Sequence, residues 1–192
     1  ARSLRFRALV MVGLILPAVD LFPYQWIYIH SPKVMVGRIQ NFKNWSKKMV
    51  PDSEMTSIGM EYFCSKEDEI WSLSDDELIE LAAHELREIG LLKSTAVQDG
   101  IVFRQSMAYP VYDCDYRSHL DILKEYLDSF VNLQTIGRNG MHRYNNMDHS
   151  MLTGVLAAKR ALGEPNDVWK VNEDAAYLEE DMQKQNGSAL ID

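Results

Sequence analysis

The chain has 192 residues and a mass of 22.1 kDa, enough for one large domain or two small ones. A hydrophobic content of 46% with 25% charged residues excludes general disorder, and a net charge of −8 argues against a general nucleic-acid binder. Residues 1–48 nevertheless hold eight basic residues and one acidic residue, Asp20, a balance of +7 that leaves −15 for the rest. That basic segment is either a solvated surface or a face for an acidic or phosphate-bearing partner.

In chain order, Arg2, Arg5 and Arg7 followed by the apolar run Ala8 to Leu16 imitate the start of a secretory signal. The run is too short to span a bilayer and is stopped by Pro17 and Asp20. Its β-branched Val10, Val12 and Ile15 suit a buried strand, so a strand over 4–16 is expected and no membrane span. The first residue is Ala rather than Met, which reads as a fragment or a processed product.

Residues 25–30, aromatic and β-branched, predict a second strand closed by Ser31-Pro32. A weaker strand is expected over 34–42, then a basic loop from Lys43 to Ser53 containing Trp45 and Pro51, then a fourth strand over 56–64. The helix at 75–90 has the clearest local signature. Ser74 is an N-cap with Glu77 completing a capping box, Leu78, Leu81, Ala82, Leu86 and Ile89 recur at helical spacing, and Gly90 ends it.

Residues 93–106 predict a strand, with Asp99-Gly100 allowing a hairpin turn inside it. An amphipathic helix is expected near 116–130, a short apolar strand at 133–137, a glycine loop, and a last helix over 147–162. The tail from Gly163 is acidic, with a helical stretch near 172–184 and a frayed end. Adjacent strands dominate the first hundred residues, so the fold class is α+β, a largely antiparallel sheet with helices, ending in a strand–loop–helix. Three regions are expected: 1–130, 131–163 and 164–192.

Cys64 and Cys114 lie fifty residues apart without C-x-x-C spacing, which supports neither a disulfide framework nor a zinc site and fits a reducing cytosol. His142, Asp148 and His149 do not make a convincing metal set either, because their spacing matches no strong site. Arg38, Lys43, Lys47 and Lys48 with Trp45 form either a contact for an anionic or nucleotide-linked substrate or a basic surface loop. Tyr109, Tyr112 and Tyr116 line a site wall or pack beside Pro110; His142 and Tyr144 join them as substrate-contact candidates.

The densest polar stretch is Ile136-Gly137-Arg138-Asn139-Gly140-Met141-His142-Arg143-Tyr144-Asn145-Asn146-Met147-Asp148-His149-Ser150. A loop feeding a helix N-terminus presents backbone N–H groups and a positive dipole to an electron-rich ligand atom. It is equally readable as a well-capped structural loop. Its Gly-Arg-x-Gly-x-x-x-Tyr-x-x-Met-Asp pattern resembles the C-terminal flavin signature of FAD-dependent amine-oxidase-like enzymes, the superfamily of protoporphyrinogen oxidases and UDP-galactopyranose mutases. Gly37 to Ser46, Glu61 to Cys64 and Ala108 to Tyr112 resemble the same group more loosely.

The resemblance implies an FAD enzyme whose N-terminal βαβ unit grips the cofactor pyrophosphate. This chain has no G-x-G-x-x-G and no G-x-x-x-x-G-K-[ST], so it reads as the C-terminal, substrate-binding and flavin-capping portion, partnered by the missing FAD-binding domain and inactive alone. By the same analogy Gly137 and Arg138 lie near the FAD phosphates or ribityl chain. Asn146, Met147 and Asp148 lie near the flavin ring carbonyl. Asn145-Asn146 before the Met-Asp pair and His149-Ser150 after it depart from the mutase pattern, so mutase chemistry on a nucleotide-sugar stands as an alternative beside redox chemistry. A second class of reading is a non-catalytic module that self-associates through the face its missing domain would cover.

Overall fold

A computed structural model of the chain describes residues 1–17, 20–50, 52–92 and 97–172. These residues fall into two compact units, one of Phe6–Ala108 and one joining Ala1–Arg5 to the chain from Tyr109 onward. The first unit is built on five strands: β1 Phe6–Leu16, β2 Trp26–Tyr28, β3 Arg38–Asn41, β4 Thr56–Cys64 and β5 Asp99–Pro110. Their order is β2-β3-β4-β1-β5. Every adjacent pair is antiparallel: β1 with β4 (Val12 opposite Met60), β3 with β4 (Arg38 opposite Glu61) and β2 with β3 (Tyr28 opposite Arg38). For β5, Gln98 N–H donates to Ile15 O at one end and Val111 N–H to Arg5 O at the other, which fixes it antiparallel to β1.

Alternation along β1 explains the core. Ala8, Val10, Val12, Leu14 and Leu16 are buried, and their partners on β4 (Cys64, Tyr62, Met60, Ile58 and Thr56) are buried on the same face. That face meets α3, Asp75–Glu88, which lies against β1 and contributes Leu78, Ala82 and Leu86. Ser74 and Glu77 form the expected capping box, and Gly90 at φ 79° ends the helix in a left-handed turn. The signal-like opening is therefore an interior strand of a sheet.

The structure corrects three local expectations. Asp99-Gly100 is no hairpin turn but the start of the single strand β5; neither residue has the positive φ such a turn needs. Gly100 instead admits α3: a Cβ there would lie 2.8 Å from the Ile79 side chain. The basic stretch after β3 contains a helical turn, α1 Phe42–Trp45, and a 3₁₀ turn Lys47–Met49. Residues 133–136 form no strand, although Ile136 is extended at φ −137° and ψ 163°, and Gly137 begins a helical turn, so the strand expected over 133–137 is absent. An extended segment becomes a strand only when a neighbour takes its hydrogen bonds.

Between β4 and α3 lies a short turn, α2 Glu69–Ser72. The second unit contains α4 Tyr116–Asp128, the helical turn α5 Gly137–Gly140, α6 Met147–Ala161 and a 3₁₀ turn Val168–Lys170. The helix expected near 172–184 lies almost wholly outside the described residues. Among the described residues no helix is long and apolar enough to cross a membrane.

Candidate functional site

In the second unit the expected loop is closed around Arg138. Its Nε donates to Asn145 O at 2.9 Å, and Arg143 N–H donates to Arg138 O at 3.0 Å. The guanidinium lies over two rings, 4.6 Å from the Tyr144 centroid and 5.1 Å from that of Tyr109, and those rings stack on each other at 5.5 Å. A planar cation held by two π-faces and a carbonyl is fixed in place, and Arg138 is half-buried there. Gly137 adopts φ 73°, which a side chain would strain, and its N–H donates to Thr153 Oγ1 at 3.0 Å. Thr153, fully buried in α6, thus pins the loop to the helix that follows.

Asn146 caps α6, and its N–H donates to His149 Nδ1 at 3.3 Å. Met147 and Asp148 form the exposed first turn, where helical N–H groups have no acceptor within the helix. Asp148 Oδ1 lies 3.6 Å from His149 Nδ1. Tyr112 accepts Tyr144 N–H at 2.6 Å, while Tyr112 and Tyr116 lie 4.6 Å apart. His142, buried at φ 45°, has Nε2 3.4 Å from Val111 O, and burial pushes its pKa down. A cleft of about 830 Å³ is lined by Tyr112, Tyr116, Arg143, Tyr144, Trp169 and Asn172, within the size range of small-molecule sites.

Arg38 and Trp45 belong to the other unit. Arg38 stands on the sheet face opposite α3, its Nη2 2.6 Å from Glu61 Oε2, with Gln40 Nε2 donating to Glu61 Oε1. The rings of Tyr28 and Phe63 lie 5.8 Å and 5.9 Å from the guanidinium carbon. Trp45 stacks on Trp26 with centroids 5.2 Å apart, both half-exposed. Lys43 is a brace rather than an open contact, since its Nζ donates to Ser53 O and Met55 O. The structure thus joins Tyr109, Tyr112, Arg138, His142, Tyr144 and Asn146 in one unit, and Arg38 with Trp45 in the other.

Sequence reasoning missed Glu61, Gln40 and Trp26 as neighbours of Arg38 and Trp45, and Thr153 as the anchor of Gly137. Period-two alternation held the signal for Gln40, which shares a strand face with Arg38 two residues away. Pairing Glu61 with Arg38 needed the strand register, which one sequence does not supply.

The fold is similar to that of part of two solved structures, both of FAD-dependent flavoenzymes. A reduced UDP-galactopyranose mutase structure superposes on 90% of this chain with a TM-score of 0.75 at 23% identity. A structure assigned as a protoporphyrinogen oxidase from Exiguobacterium sp. 255-15 covers 71% with a TM-score of 0.57 at 15% identity. The chain spans only about a third of each, 37% and 31%. The sequence matches no protein-family model and no curated protein.

Proposed function

We propose that this chain is the substrate-binding and flavin-capping portion of an FAD-dependent enzyme, the dinucleotide-gripping part being supplied by a separate FAD-binding domain. The observation that carries the reading is the Gly137–Asn146 loop: a guanidinium held against two aromatic rings, a left-handed glycine and the exposed first turn of α6, set in a fold shared with two flavoenzymes. These residues suit an electron-rich, phosphate-bearing cofactor. Arg138 offers charge held by π-faces, Gly137 presents backbone without a side chain, and the N–H groups of Met147 and Asp148 face a developing negative charge at the helix start. When bound, the flavin supplies hydride or electron transfer; the protein holds, orients and shields it.

The substrate in this reading is a small molecule with an anionic group. Tyr109, Tyr112 and Tyr144, on the second unit, are proposed contacts; Arg38 and Trp45, on the first unit, are proposed separately as a face for an anionic group. Buried His142 serves by shaping the wall rather than by touching the substrate. The longer and higher-scoring superposition favours mutase-like chemistry on a nucleotide-sugar as the second reading. A cytoplasmic setting is supported by Cys64 and Cys114, both free thiols.

Flavin retention tests the cofactor reading. In the full-length gene product, Arg138→Ala is expected to lower the FAD content after gel filtration. Full FAD content in the variant would reduce Arg138 to a structural clamp.

A further inference from the structure

Glu61 is a carboxylate whose side chain is 1% exposed, on the sheet face away from α3. Taking a charge out of water is costly, and such an ion pair is weak evidence of stabilisation. The core has no need of it: Tyr62 and Met60, its strand neighbours, fill the opposite, α3-facing side. What the carboxylate does is geometric. One oxygen accepts from Arg38 Nη2 and the other from Gln40 Nε2, so two side chains two residues apart on β3 are tied to one point on β4. Phe63 closes the arrangement from the same strand, and Gly37 makes room for it, since a Cβ at Gly37 would lie 2.8 Å from the Phe63 ring.

We infer that Glu61 is a positioning residue: it fixes the Arg38 guanidinium so that the sheet face presents a pre-oriented cation to the anionic group of the substrate. The inference rests on the reading of Arg38 as a substrate contact and goes beyond it by naming the group that sets Arg38 in place. Pre-orientation lowers the ordering cost that a long, flexible arginine otherwise imposes on binding.

The test is a calorimetric titration of UDP into the full-length gene product and its variants, with FAD content and thermal melting as controls. Two simple roles for Glu61 predict opposite signs. If it only neutralises Arg38, Glu61→Gln removes a negative charge beside the anion and tightens UDP, and Glu61→Asp, which keeps the charge, changes nothing. If it positions Arg38, both variants weaken UDP, Glu61→Gln by roughly tenfold, and Glu61→Gln adds no further loss in an Arg38→Ala background. Weaker binding in both variants with that non-additivity supports the inference. Unchanged or tighter binding in Glu61→Asp, the variant least disturbing to the fold, overturns it. Wild-type UDP affinity in Arg38→Ala, or no UDP binding by the wild type, instead removes the substrate reading of this face, and the role of Glu61 with it.

Discussion

Two helices of nearly equal length divide the molecule. α3 spans 14 residues and buries five of them, Leu78, Ala82, Ala83, Glu85 and Leu86, against the sheet or the loop before β3. α6 spans 15 and buries one, Thr153, whose hydroxyl holds Gly137. Met147, Met151, Val155 and Leu162, at helical spacing, are exposed in the second unit. A helix that buries its apolar stripe stabilises its own unit; a helix that leaves such a stripe in water and buries a hydrogen-bonding group is organised around a loop. The difference separates a helix that builds a core from one that anchors a loop and leaves its apolar stripe exposed.

Core truncation has the largest expected effect. Leu86→Ala, fully buried on α3, should cost about 2–5 kcal/mol in urea unfolding of the first unit, whereas Val155→Ala on α6 should stay within about 0.5 kcal/mol. Equal costs would erase the contrast. Glu85 comes next. Its carboxylate accepts Met35 N–H at 2.6 Å and Val36 N–H at 3.1 Å, so it caps the loop before β3 from within the core. Glu85→Ala leaves two backbone donors without that partner and should cost about 2–4 kcal/mol.

A smaller loss is expected from Thr153→Val, about 1 kcal/mol, with faster amide exchange at Gly137 as its signature. Ser74→Ala removes the α3 cap and should also cost about 1 kcal/mol, but in the first unit only. The subtlest test is pH. Burial holds the His142 pKa below its unfolded value, so the unfolded chain takes up a proton that the folded one refuses. The second unit should keep this contribution above about pH 6.5 and lose it as pH falls through the folded pKa; His142→Phe should flatten that loss.

These contrasts also mark what one sequence can tell. β4 was legible to the residue, because alternation and β-branching speak directly about one strand, and α3 was legible through its capping box. Asp99-Gly100 misled because glycine serves two ends, a left-handed turn and a close approach, and only Ile79 above it decides which. Residues 133–136 misled for a related reason: apolar, extended sequence specifies a strand only together with its partner. In the loop, the glycine-rich composition and the start of the last helix at 147 could be read from the sequence. The partners that give the loop its geometry, Thr153, Tyr109 and Tyr144, come from tertiary placement.

The most direct test of the flavoenzyme account is the visible absorption spectrum of the full-length gene product, with the 192-residue chain purified beside it. Flavin bands in the full-length protein and none, or only weak ones, in the chain are the predicted result. No flavin in either sample after incubation with FAD, or a fully loaded flavin in the chain alone, would contradict it.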